Sequence, residues 1–99
     1  SEVFGLAVEL VRGVCENKYD IDEIIRSNLE SNWRPDRLAA VDKAVMSIAL
    51  YESIVARKVP VSVAISEAVG IAKSFGSTDS GRFVNGVLGR IAKKYENRD

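Results

Sequence analysis

Few residues in this chain can do chemistry, and their types decide which chemistry is open to it. Histidine is absent and cysteine occurs once, at Cys15. That removes the commonest general base, the commonest metal ligand and any internal disulfide, so zinc sites and serine- or cysteine-histidine catalysis are excluded. No glycine-rich loop leads into a lysine and a hydroxyl residue, so nucleotide hydrolysis has no apparatus. Asp20, Asp22, Asp36, Asp42 and Asp79 are accounted for as helix caps or exposed strips, with no pair forced into one cleft. No enzyme, metal or cofactor is expected. Cys15 sits in an apolar helical pattern, which predicts a small buried thiol.

What remains is the stretch STDSGRFVNGVLGRI at residues 77–91. Its apolar residues Val84, Val87, Leu88 and Ile91 share one face of a helix turning about 100° per residue. Phe83 lies at the margin of that stripe, and the flank beyond it carries Arg82, Gly86, Arg90 and Lys93, with Asp79 nearby. A ring for a base to stack on, cations for phosphate and bare backbone for close approach are what a single-stranded nucleic acid needs. The same pattern also fits an ordinary core phenylalanine, glycines that admit a neighbouring helix, and a solvated basic face. The wheel leaves both open. Gly89, between the stripe and the far flank, suits close helix packing; Gly86, on the basic flank, suits approach of a ligand.

The elements that must position these residues are helices. Val3, Leu6, Ala7, Leu10, Val11 and Val14 recur at i, i+3, i+4 spacing, with Glu9 and Arg12 opposite. Asp20 and Glu23 have the spacing of a capping box for a second helix, with Ile21, Ile24, Ile25 and Leu29 on its inner face. Pro35 breaks the pattern, and Trp33 is placed as a plug between the helices on either side. From about Asp36 to Arg57 runs a helix apolar on both sides, predicted to be wrapped by neighbours, with Asp42, Lys43, Ser47 and Ser53 as thin polar strips. Pro60 ends it, and Ala64, Ile65, Ala68, Ile71, Ala72 and Phe75 line the next helix, closed by Gly76 as a left-handed cap. Ser77, Thr78 and Asp79 are N-cap candidates for the last helix, which extends through about Lys94. The expectation is an all-α fold, a small bundle of about five helices in a single domain over residues 1–99.

Composition sets the frame. In 99 residues, 46% are apolar and 28% charged, enough for one modest core. There is no membrane-length apolar run, no signal peptide and no lipidation motif, so a cytoplasmic protein is expected. Lysine and arginine number 14, as do aspartate and glutamate, so net charge gives no hint of a nucleic-acid partner.

Five blocks in register carry a resemblance: LAAVDKA at 38–44, ALYE at 49–52, VP at 59–60 with AISEA at 64–68, AKSFG at 72–76, and DS at 79–80 with FVNGVL at 83–88. Together they resemble the NusB family of bacterial transcription antitermination factors, over nearly the whole chain. The resemblance implies an all-helical protein that binds boxA-type single-stranded RNA together with the ribosomal protein NusE. It also implies a place in the RNA polymerase antitermination complex, suppressing premature termination notably in ribosomal RNA operons. By position it puts Asp79, Arg82 and Phe83 on the RNA-contacting surface, to which the helical wheel adds Gly86 and Arg90. It puts Asp42 on the surface that meets NusE, with Lys43 and Met46 as neighbours. Members of this family normally begin with an arginine-rich segment and two further helices, so this chain reads as N-terminally truncated. Uncovered apolar surface then implies a homodimer or domain-exchanged oligomer. Two other readings stand beside it: a NusB-like module of a ribosomal RNA cytosine methyltransferase, and a helical adaptor that recognises another protein through the Asp42 strip.

Overall fold

The structure, a computed structural model, describes residues 2–29 and 38–96. The break at Pro35 and the place given to Trp33 lie outside the described residues. Five α-helices follow one another: α1 (Glu2–Glu16), α2 (Lys18–Ser27), α3 (Ala40–Leu50), α4 (Val61–Phe75) and α5 (Thr78–Glu96), with a π-helical turn over Tyr51–Val55 continuing α3.

The core forms where the apolar faces of α2 to α5 meet. Ile21 and Ile25 come from α2, Val45, Met46, Ala49 and Leu50 from α3, Ala64, Ala68 and Ala72 from α4, and Val84, Val87, Leu88 and Ile91 from α5. The α4 contribution is a stripe of alanines at i, i+4, i+8. Small side chains let α5 lie close against α4, so that the valines and isoleucine of α5 supply the volume. Burying each of those larger side chains contributes roughly 1.5–3 kcal/mol.

Local chemistry explains the joints. Ser77 caps α5: its hydroxyl oxygen accepts the Ser80 N–H at 3.0 Å, the N-cap to N3 bond. Gly76 ends α4, but not as the left-handed cap the sequence predicts, since its φ is −109°. Glycine is required there by crowding. A β-carbon would stand 2.8 Å from the Ala72 carbonyl oxygen and 2.8 Å from Ser80 Oγ. The left-handed conformation falls instead on Arg57, at φ 54°, where the π-turn must stop before Pro60. There the Glu52 carbonyl accepts both the Lys58 N–H at 2.8 Å and the Val59 N–H at 3.2 Å, closing the helix end.

Three further sequence-based expectations are corrected. The capping box at Asp20 does not form, because α2 already begins at Lys18; Glu23 pairs with Arg26 one turn on, and the Asn17 side-chain amide donates to the Gly13 carbonyl at 2.8 Å. Asp42, Ser47 and Ser53 do not reach solvent. The central helix is wrapped so fully that its polar strips are enclosed too, and Ser53 Oγ turns back to donate to the Ala49 carbonyl at 2.6 Å. Cys15 is exposed. Most of the apolar residues of α1 are exposed as well, with only Gly13 of that helix buried.

Candidate nucleic-acid interface

The site is built on α5. Its core stripe points inward, and this fixes the azimuth of everything else on the helix: residues off the stripe must face out. Asp79 and Arg82 sit in the first turn and a half, three residues apart, with the carboxylate and guanidinium 3.6 Å from each other. Their side chains are 91% and 77% exposed, so the pair contributes little to stability and leaves both groups open to a ligand. Phe83 is partly buried and packs against the core while part of its surface remains accessible.

The glycines divide differently from the sequence reading. The close approach of a neighbouring helix occurs at Gly81, where a β-carbon would lie 2.4 Å from Lys73 Cγ on α4. It does not occur at Gly89, which has nothing within 4 Å of a β-carbon, so the expectation for Gly89 is corrected. At Gly86 the nearest atom is Arg90 Nη1 at 3.7 Å, an ordinary contact. The neighbouring helices therefore do not demand glycine at 86 or 89.

Arg90 is less available than its place on the flank suggests. Its Nε and Nη2 both donate to the Asn28 carbonyl, at 3.1 and 3.0 Å, at the C-terminus of α2. A guanidinium at a helix C-terminus is favourable for the helix dipole, so Arg90 ties α5 to α2 and offers a ligand only its remaining N–H groups. Sequence reasoning missed this tie because the two partners lie 62 residues apart.

The second predicted surface dissolves in part. Met46 is fully buried in the core and cannot meet a partner; this corrects its place on that surface. Asp42 precedes Met46 by one turn on the same inward face. It is buried too, with Oδ1 accepting no hydrogen bond among the described residues. Lys43, about 100° further round, stays at the surface with its ammonium 3.7 Å from Asp22.

Comparison with known proteins places this geometry. A family model described as the NusB family matches residues 1–93. The chain belongs to the NusB family. A transcription antitermination protein NusB from Bacillus licheniformis is 48% identical over 88 residues, which are 89% of this chain and 67% of the relative. A solved structure of T. maritima NusB superposes with a TM-score of 0.79 at 44% identity, covering 86% of this chain and 59% of that one. A structure of the antitermination factors NusB and NusE in complex with dsRNA superposes with a TM-score of 0.84 at 27% identity, over 96% of this chain and 69% of that one. The chain thus spans about two thirds of the length of the NusB relatives it matches. All five helices follow the NusB fold, and the relatives bear the name of a transcription factor, not of an enzyme. Among the described residues no helix is long and apolar enough to cross a membrane.

Proposed function

We propose that this NusB-family chain acts in transcription antitermination in the cytoplasm, holding boxA-type RNA on the rim of α5 together with NusE, within the RNA polymerase antitermination complex that serves ribosomal RNA operons. The observation that carries the reading is the exposed first third of α5: Asp79 and Arg82 open to solvent beside the partly buried ring of Phe83. Gly86 extends that rim as bare backbone. A base stacks on Phe83, Arg82 meets phosphate, and Asp79 accepts from base or ribose donors. Lys43, at the mouth of the α2–α3 junction, is the residue of the second surface left to face NusE. Support for an RNA and NusE partnership comes from the related NusB solved with both. The RNA in that complex is double-stranded, so strandedness belongs in the test.

The experiment is a binding titration of the chain, with and without NusE, against a boxA oligonucleotide offered as a single strand and as a duplex. Phe83→Ala is expected to weaken single-strand binding by about five- to 150-fold, the equivalent of the roughly 1–3 kcal/mol that base stacking on an aromatic contributes. Because Phe83 also packs on the core, Arg82→Gln supplies the arm in which packing is untouched; it should weaken binding with an unchanged helical spectrum. Unaltered affinity in both folded variants sinks the α5 reading, and preference for the duplex overturns the single-strand part.

A further inference from the structure

The turn that leads from α3 into α4 borders a cavity of about 520 Å³ to which the RNA reading gives no role. Two cations, Arg57 and Lys58, line it together with the apolar Ile54, Val59 and Pro60 and the aromatic Tyr95 from the end of α5. The lining includes no carboxylate. Arg57 is its unusual member. Among the described residues it is the one non-glycine residue with a left-handed backbone, at φ 54°. A β-carbon makes that conformation unfavourable, and glycine or asparagine is the ordinary choice for it. Arginine there keeps a long cationic side chain at a backbone cost. The side chain is exposed, and no side-chain hydrogen bond or ion pair among the described residues offsets that cost. Strain held without an internal return is a mark of a functional position.

We propose that this cavity binds a nucleoside monophosphate, with the phosphate on Arg57 and Lys58 and the flat base against Tyr95 and the apolar lining. The volume lies within the range of small-molecule sites, and apolar walls with a few polar groups are their usual make-up. The guanidinium fork meets two phosphate oxygens at once. Inorganic phosphate would leave most of the volume empty, and a small aliphatic acid would leave the aromatic wall unused. Lys58 gives the site a second state. Its ammonium donates to Glu9 of α1, a residue outside the lining. A bound phosphate and the Glu9 carboxylate therefore compete for one ammonium, and binding loosens the tie between α1 and the turn. The cavity is separate from the rim of α5 that faces RNA. Tyr95 lies about 20 Å beyond Arg82 along that helix and about 140° round it, so neither assignment depends on the other.

Titration of uridine monophosphate into the isotope-labelled intact chain, followed by amide chemical shifts, tests this. The amides of Arg57, Lys58, Val59, Val61 and Tyr95 should move together, with a dissociation constant on the order of 0.1–1 mM for a ligand of that size. Uridine, which lacks the phosphate, and inorganic phosphate, which lacks the ring, should each bind at least about tenfold more weakly. Arg57→Gln should weaken nucleotide binding at least about tenfold, the loss of a charge-assisted pair. Arg57→Gly should lose affinity likewise while raising the urea midpoint, because glycine adopts the left-handed backbone freely. Glu9→Gln releases the Lys58 ammonium and should strengthen binding about two- to fivefold, the strength of an exposed ion pair. Absence of any shift about tenfold above the expected constant overturns the proposal, as do shifts confined to residues 79–86, which would move the ligand to the RNA rim. So does uridine or inorganic phosphate binding as tightly as the nucleotide, or full affinity in both folded Arg57 variants. Affinity unchanged in Glu9→Gln removes Lys58 from the site.

Discussion

At Gly13 of α1 an aromatic ring occupies the space a β-carbon would need. The added atom would stand 2.1 Å from Cζ of Tyr51 and 2.4 Å from Cε1, so the ring or the helix must shift. Tyr51 opens the π-turn behind α3 and packs against the core, which leaves it little room to yield. Gly13→Ala is therefore expected to destabilise the fold by about 1–3 kcal/mol, the range for overpacking. Gly89→Ala should do the reverse and stabilise by roughly 0.5–1 kcal/mol, because nothing lies within 4 Å and only the helix propensity changes. Gly86→Ala separates structure from function. It should raise the urea midpoint like Gly89→Ala, yet weaken RNA binding if a strand approaches the helix there. Equal midpoints for Gly13→Ala and Gly89→Ala would break the packing argument, and Gly86→Ala with undiminished RNA affinity would remove that residue from the site.

Between elements, the tie that can be switched joins α1 to the segment before α4. The Lys58 ammonium donates to the Glu9 carboxylate, across exposed surface. That hydrogen bond first, and the lysine's charge second, hold the Glu9 carboxyl below its ordinary 4.5 and in turn raise Lys58 above 10.5. A depressed carboxyl adds stability that is fully present above its ordinary value and is lost as the pH falls through the folded one; a raised ammonium adds stability below 10.5 that is lost as the pH climbs through its folded value. Protection of the α1 amides, the exchange rate taken relative to the intrinsic rate at each pH, is thus expected to be greatest between those limits and to fall as the pH drops below about 4.5, a step that Lys58→Gln abolishes. The sequence announced α4 and α5 clearly, because Pro60, Gly76 and Ser77 punctuate them and their apolar stripes are clean. Periodicity also put Asp79 and Arg82 on an outer flank. It could not say whether the apolar face of α1 is covered, since the pattern of a helix records what could be buried and not what arrives to bury it. Nor could it show that Asp42 and Met46 turn inward together, because on a helix apolar all round the wheel names no outside. Glycine at 13 found its reason only in Tyr51, 38 positions later in the chain.

For the molecule as a whole, charge decides how RNA can be held. The 14 cations are matched by 14 anions, and the structure spends several of the cations internally. Arg26 faces Glu23, Lys43 faces Asp22, Lys58 faces Glu9, and Arg90 is tied to the Asn28 carbonyl. On the proposed RNA flank this leaves Arg82, whose pairing with Asp79 is loose, and the exposed Lys93. A strand laid along α5 thus has about two phosphates neutralised, and for single strands each contributes about −0.7 to the slope of log affinity against log salt. The 99-residue chain alone is accordingly expected to bind boxA RNA weakly, with a slope between about −1 and −2. Raising salt from 50 to 200 mM should then lower its affinity only about four- to sixteenfold. Stacking on Phe83 is insensitive to salt, so the Phe83→Ala variant should lose affinity at every salt concentration while keeping the slope, whereas Arg82→Gln should flatten the slope by about 0.7. A filter-binding series at four salt concentrations measures all three. A slope near −5 would mean that phosphate is held by a much larger basic surface than the flank of α5 provides, and the strand would have to be laid elsewhere on the molecule.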